Sequence, residues 1–159
     1  MQHQAQFGDV IAWAWDGPPP GSAADGRARL ALLDSLGCIL AGLRHPRVRA
    51  FAEAMQGWMP GCIGVAGASL SPAGVASVLA VSMCWDEANE GLARAHGRPG
   101  LSVAPLVLAQ AGVAPLGALR AAFALGYEVG ARAGEVWRSR PGMHVDGSWH
   151  ALGAAVAAA

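Results

Sequence analysis

Leucines recur at three- and four-residue intervals along the first clear helical segment, which is predicted to run from Ser22 or Asp25 to about Leu43. This spacing places the leucines on one face of a helix, so the sequence predicts that this face is buried. Its members are Leu30, Leu33, Leu36, Leu40 and Leu43. Ser22 or Asp25 can cap the start of the helix. Gly37, inside the helix, is expected to let another helix approach closely.

The remaining apolar pattern predicts five more helices. They cover residues 47–58, 71–89, 101–111 and 116–137, and the last begins near Gly147 or Ser148. Residues 62–67 lie after a breaker and are interpreted as a short extended crossing. The expected fold class is therefore all-α, with about six helices in a single helical domain over 1–159. Residues 1–21 form an N-terminal segment with a Pro/Gly linker, and 22–159 form the helical core.

The last predicted helix has an unusual pattern, because residues 152–159 carry neither a glycine cap nor a polar face. A helix that is apolar on every side is expected to be buried. Two interpretations follow: either the sequence has been cut at Ala159, or another polypeptide covers this helix.

Composition and charge narrow the choice of partners. Hydrophobic residues make up 53% of the chain, and many of them are alanine, the best helix former. Eleven basic residues, all arginine, balance eleven acidic ones, so no basic excess is present to bind nucleic acid. A net charge near zero lowers solubility and favours a protein partner, in a homo- or hetero-oligomer. The absence of lysine excludes Schiff-base or lysine acid–base chemistry from this chain.

Three cysteines, Cys38, Cys62 and Cys84, lie too far apart for a CxxC or a Cys/His zinc motif, and no nucleotide-binding loop or HExxH is present. We therefore expect no metal and no cofactor, and interpret the cysteines as buried, inert thiols in a reducing compartment.

The first residues lack the basic and apolar regions of a secretory signal. Without an apolar stretch of about 18 residues, no membrane span is expected. The predicted location is cytoplasmic.

Candidate chemistry concentrates in two polar groups at helix ends. The first contains Asp86, Glu87, Glu90, Arg94, His96 and Arg98, and the second contains His144, Asp146 and His150. Helix ends can bring such side chains together around a cleft, and the arginine fork suits a carboxylate ligand. Plainer interpretations stand beside this one. The three acidic residues of the first group can form a solvated helix end, and the histidines can cap turns instead.

Taken in order, five segments resemble the N-terminal part of the MmgE/PrpD family, which includes 2-methylcitrate dehydratases and cis-aconitate decarboxylases. They are ALLDSLGCILAG at 31–42, SMCWDEANEG at 82–91, Arg98-Pro99-Gly100 continuing to Pro105, LGYEVG at 125–130, and Gly142-Met143-His144 followed by Gly147 and the alanine run. The resemblance implies a helical domain that in full-length relatives precedes an α/β domain. It also implies a di- or tricarboxylate in the cleft between the two domains, with no metal required.

The chemistry that the resemblance implies is that of a lyase, with a proton abstracted beside a carboxylate and loss of water or CO2. Two family positions with acid–base groups fall on Cys84 and Ala88, which cannot do this chemistry. Asp86 matches a family aspartate, and Glu87 replaces another. Lysines that relatives supply further along the chain are not present in this sequence.

The family histidines carry over in part. The histidine of the family's HPG segment falls on Arg98, unless a two-residue shift makes it His96, and the histidine of the G-x-H motif matches His144. The leading hypothesis is a short or split lyase subunit for a small di- or tricarboxylate, its active site completed by another chain. His144 with either His96 or Asp86 then does the acid–base work.

In the same hypothesis the substrate carboxylate is bound by Arg94, Arg98 and Glu87. A second hypothesis is a catalytically degenerate structural or interaction domain of the same fold. Cys84 and Ala88, which stand where the family has acid–base groups, favour this second hypothesis. A third is a binding module that holds a small carboxylate without turnover.

Overall fold

The computed structural model describes residues 13, 16–18, 21–137 and 139–159. Most of the predicted N-terminal segment and linker at 1–21 therefore lies outside the described residues. In chain order the described helices are α1 (Ala23–Gly42), α2 (Pro46–Trp58), α3 (Pro72–Cys84), α4 (Gly100–Leu108), α5 (Leu116–Val136) and α6 (His150–Ala158). Six helices with little strand confirm the predicted all-α class.

A small hairpin stands where an extended crossing was predicted. Strands β1 (Pro60–Val65) and β2 (Ala68–Leu70) pair antiparallel, with Val65 opposite Ala68. The two residues between them, Ala66 and Gly67, both have positive φ, 51° and 90°. This is the backbone combination that suits the twist of a two-residue hairpin turn.

Helix α1 packs on the core through a different face from the one that the leucine spacing predicted. Its buried residues include Leu32, Ser35, Ile39 and Gly42. By contrast, Leu30 and Leu33 are each 65% exposed and Leu40 is 56% exposed, so the prediction that the leucine face is buried is wrong for these residues, whereas Leu43 is half-buried and packs against the core. The physical reason is that both faces of α1 are apolar, and periodicity does not tell which of two apolar faces meets the core.

The close helix approach occurs at Gly42 and not at Gly37. A β-carbon added at Gly42 would lie 2.0 Å from the backbone oxygen of Ser82 in α3, whereas one added at Gly37 would meet no described atom within 4 Å. The hydroxyl of Ser82 is buried and donates to the Val78 oxygen one turn earlier (2.7 Å). The contact between α1 and α3 is therefore backbone against backbone.

Asp25 joins the start of α1 to α5. Ser22 is the N-cap of α1 and accepts the Asp25 N–H. The Asp25 carboxylate accepts the N–H of Gly21 (2.9 Å) and pairs with Arg29 (2.9 Å) and with Arg120 of α5 (2.7 Å). These donors, the Gly21 N–H first among them, lower the pKa of Asp25 to about 2.

Helix α6 packs closely on α5. A β-carbon added at Gly153 would lie 2.4 Å from the backbone oxygen of Gly126, so the two helices meet at glycine. The outer side of α6, with Ala151, Leu152 and Ala155, is exposed. The expectation that another polypeptide covers this helix remains a prediction.

The cysteines are less buried than predicted. Cys62 is exposed on β1, and Cys38 and Cys84 are half-buried. The prediction of three buried thiols is therefore wrong, most clearly for Cys62, because β1 belongs to a two-stranded hairpin with much of its surface in solvent. Among the described helices, none is long and apolar enough to cross a membrane.

Candidate functional site

The first polar group lies in a loop, because α3 ends five residues earlier than predicted, at Cys84 and not near Asn89. The segment contains no proline or glycine before Gly91 that would explain this end. Instead, the N–H of Glu90 donates to the Asp34 carboxylate of α1 (2.8 Å). Glu87 adopts a positive φ of 52°, which helical backbone does not allow. A contact 56 residues away in the sequence thus competes with continuation of the helix.

Arg98 is the centre of the site. Its guanidinium donates to the carboxylates of Glu87 and Asp146, the latter at 2.9 Å, and to the side-chain oxygen of Asn89 at 3.0 Å. The side chain is only 15% exposed. Desolvation lowers the pKa of Arg98, but the two carboxylates outweigh it and raise this pKa above its ordinary value. Arg98 therefore joins the loop after α3 to the segment before α6.

Two histidines lie next to the same aspartate. Asp146 Oδ2 is 3.6 Å from His144 Nδ1, and Asp146 Oδ1 is 3.5 Å from His150 Nε2. The imidazole of His144 is 76% exposed and that of His150 is 3% exposed. Burial lowers the pKa of His150, although Asp146 acts in the opposite direction. The ring of His144 is therefore exposed to bulk solvent, whereas that of His150 is almost fully buried.

The structure brings together three of the six predicted site residues. Arg98 and Glu87 are ion-paired, and His144 lies beside the Asp146 that pairs with Arg98. The other three point elsewhere. Arg94 pairs with Glu135 at the end of α5 (3.4 Å). His96 follows a short 3-10 helix, Ala93–Ala95, and has a positive φ of 53°. Exposed Asp86 contributes to the raised pKa of the Cys38 thiol.

Glu90 is half-buried and bonded to two helices, so it is not part of a solvated helix end. Its carboxylate accepts the N–H of Gly100 at the start of α4 (2.8 Å) and the hydroxyl of Tyr127 in α5 (2.8 Å). Burial raises the pKa of Glu90, and burial together with the Glu90 charge raises that of Tyr127. The interpretation of Glu90 as solvated is therefore wrong, because its partners come from two helices that the sequence did not place beside it.

An open cavity of about 490 Å³ lies beside the cluster, between the end of α3, the first turn of α4 and the start of α6. Sequence reasoning did not find it, and did not give Asp146 or His150 a definite role. One signal was available: Asp146 and His150 are four residues apart, a spacing that can place two side chains together. Among the described residues, no group of three or more His, Cys, Asp and Glu side chains could hold a metal ion.

The fold and this cluster define a helical domain that presents charged groups at converging helix ends. The family model of the MmgE/PrpD N-terminal domain matches residues 14–159, and the chain therefore belongs to the MmgE/PrpD family. Comparison with curated proteins gives no match, and comparison with solved structures gives none either.

Proposed function

We propose that this chain supplies one half of a lyase active site for a small di- or tricarboxylate, and that another chain completes it. The observation that carries the proposal is the Arg98 cluster, in which Glu87, Asp146 and His144 meet beside an open cavity in a member of the MmgE/PrpD family. In a dehydration, a base takes a proton from the carbon next to a carboxylate, the C–H electron pair forms a double bond, and the hydroxyl on the adjacent carbon takes a proton from an acid and leaves as water. In a decarboxylation, the bond between that carbon and the carboxylate breaks, carbon dioxide leaves, and the carbon takes a proton from an acid.

The proposed role of each site residue follows from its position and exposure in the structure. Arg98 binds a substrate carboxylate through its fork, with Glu87 beside it, and exposed His144 exchanges a proton with the substrate. The second acid–base group is His96 or Asp86, both exposed, and Arg94 adds a second contact to a carboxylate. These three residues lie outside the Arg98 ion-pair cluster, so their use requires a substrate or partner that spans the loop.

The net charge of the groups around Arg98 supports the proposal that a second chain is needed. Around Arg98 the described cluster has one positive group against two carboxylates, Glu87 and Asp146, so with neutral histidines its sum is one negative charge. A di- or tricarboxylate would be repelled by that sum, and positive groups from a partner would reverse it.

Two apolar surfaces support the same conclusion. The exposed leucine face of α1 comprises Leu30, Leu33, Leu36 and Leu40. Contiguous apolar residues of this kind mark interaction surfaces more often than free surface. The outer side of α6 adds Leu152, which is 39% exposed. We propose that the chain works as a homo- or hetero-oligomer.

Light scattering tests the assembly, and a ligand titration tests the site. The chain, alone and co-expressed with neighbouring gene products, is sized by chromatography with light scattering, and each complex is screened for release of water or CO2 from small carboxylates.

Binding of tricarballylate, a tricarboxylate with no leaving hydroxyl, is followed in the complex by calorimetry. Arg98→Gln should weaken binding at least tenfold, whereas Arg132→Gln, which removes a surface arginine paired with Glu128, should leave it unchanged. Unaltered binding in Arg98→Gln would remove this arginine from the site.

A second candidate function is a catalytically degenerate interaction domain. It is favoured by the residues at Cys84 and Ala88, where the family resemblance places acid–base groups, and by the occupation of Arg98 by two carboxylates. In a complex with lyase turnover, His144→Ala separates the two candidates: a loss of kcat with little change in KM supports the active half-site, and unchanged turnover supports the degenerate domain.

A further inference from the structure

The cavity beside the cluster has almost wholly apolar walls. Those walls come from Ala80, Val81 and Trp85 around the end of α3, and from Leu101 in the first turn of α4. Its volume of about 490 Å³ exceeds what a small ring needs, because a dry cavity of about 150 Å³ already holds benzene. An aliphatic group of several carbons therefore fits.

The polar side chains that line the cavity are neutral. Burial raises the pKa of the Cys84 thiol and lowers the pKa of His150, so both are uncharged near neutral pH. Ser102 uses its hydroxyl to donate to the backbone oxygen of His150 (2.8 Å). Arg98 and Asp146, whose charges act on the Cys84 and His150 side chains, are bound to each other (2.9 Å). A charged ligand group gains little by entering such a cavity and loses its hydration.

His150 is the feature that points to a ligand. Its side chain is 97% buried; Nε2 makes only a long contact with Asp146 Oδ1 (3.5 Å), and Nδ1 has no hydrogen-bond partner among the described residues. Trp149 stacks on the ring, with centroids 3.9 Å apart, so the imidazole is fixed in place. A buried polar atom without a partner destabilises the fold, so a ligand that supplies the missing hydrogen bond is favoured there. A neutral imidazole can donate one hydrogen bond and accept another.

We propose that this cavity binds an uncharged, hydroxyl-bearing aliphatic group, and that His150 hydrogen-bonds its hydroxyl. The inference rests on the proposed function only in naming the substrate class: a carboxylic acid whose carboxylates stay outside with Arg98, while its hydroxylated, uncharged branch enters the cavity. His150 then determines specificity, because a branch without a hydroxyl would leave Nδ1 of the imidazole without a hydrogen bond.

The test uses the isolated chain and cyclohexanol, an uncharged alcohol, observed by two-dimensional ¹H–¹⁵N NMR. Cyclohexanol should shift the amide signals of Val81, Trp85 and Leu101 and bind at least tenfold more tightly than cyclohexanecarboxylate, which has the same ring and a charge. Equal affinity for the two would overturn the claim that the cavity selects an uncharged group.

Variants locate the site and the hydroxyl contact. Ala80→Leu places a larger side chain in the cavity and should abolish binding, whereas Ala73→Leu, on the exposed side of the same helix, should not. His150→Phe keeps a ring to stack on Trp149 and removes both nitrogens. It should reduce the preference for cyclohexanol over toluene about five- to tenfold, as expected for one hydrogen bond.

The outcomes separate this inference from the proposed function. Shifts that persist in Ala80→Leu, or a cyclohexanol preference unchanged in His150→Phe, overturn the inference. If the chain binds cyclohexanol but none of its complexes binds tricarballylate, the carboxylate site is refuted and the cavity remains supported. Tricarballylate binding without any cyclohexanol response refutes the cavity alone.

Discussion

Two glycines of α1 provide a matched pair for testing the packing. Gly42 touches the backbone of α3 at Ser82, and Gly37, five residues earlier in the same helix, meets no described atom within 4 Å of an added β-carbon. The same substitution, Gly→Ala, therefore adds one methyl group to a closed contact in one case and to open space in the other. We predict effects of opposite sign on the free energy of unfolding.

The magnitude follows from the distances. A β-carbon at Gly42 would lie 2.0 Å from the oxygen, 2.7 Å from the carbonyl carbon and 2.9 Å from the α-carbon of Ser82. Because real β-carbons stay at least 3.0 Å from such atoms, α1 and α3 must separate by about 1 Å. Overpacking costs about 1–3 kcal/mol. Three backbone obstacles place Gly42→Ala at the upper end, and the helix propensity of alanine offsets about 1 kcal/mol, which leaves a loss of about 2 kcal/mol.

Gly37→Ala should instead stabilise the protein by about 0.5–1 kcal/mol, because alanine loses less conformational entropy in a helix. The two variants should differ by about 3 kcal/mol, or about 6–12 °C in Tm at about 2–4 °C per kcal/mol. Urea unfolding followed by circular dichroism measures the first quantity, and a thermal scan measures the second. If Gly42→Ala is as stable as Gly37→Ala, the close contact between α1 and α3 does not exist.

Three further predictions concern the exposed face and two carboxylates. Leu33→Glu on the leucine face of α1 should lower the mass found by light scattering without lowering the unfolding free energy. An unchanged mass would show that this face is not the contact between chains. The folded-state pKa of Glu90 is raised, so its contribution to stability is full below the ordinary value of 4.5 and is lost as pH rises through the raised pKa. Glu90→Gln should flatten this part of a stability–pH curve while still accepting the Gly100 N–H. The pKa of Asp25 is lowered to about 2, so its contribution is present above 3.8 and lost as pH falls through about 2. In Asp25→Asn the unfolding free energy should no longer fall as pH is lowered through about 2. If the fall at low pH is unchanged, the ion pair with Arg120 is contradicted.

The family resemblance in the sequence was sufficient to identify the family, and the local patterns were sufficient for most helices. Ser22, one of the two predicted caps, caps α1, and α3 begins within one residue of the predicted start at 71, with Ser71 as its cap. Capping and proline rules depend on neighbours within a few residues, so the sequence contains all the information they need. The predicted helix at 116–137 agrees with α5 to within one residue for the same reason.

The candidate site was predicted only in part. Arg98, Glu87 and His144 were named from residue type and from the resemblance, and the structure joins them through Asp146. Nothing local indicated that Asp34 would end α3 early by accepting the N–H of Glu90. That hydrogen bond joins residues 56 positions apart, and it exists only after α1 and α3 have packed.

Sequence alone thus determined where helices form, the balance of charge and the family, because these depend on local backbone preferences and on residue identity. The tertiary structure decided which face of α1 is buried, since Leu30 and Leu33 have the same spacing as a core-facing stripe yet remain exposed. It also decided that Glu90 is half-buried against Tyr127 and that His150 lines a cavity with its Nδ1 unpaired among the described residues. Burial is a property of packed neighbours, and no local pattern states which neighbours a helix will meet.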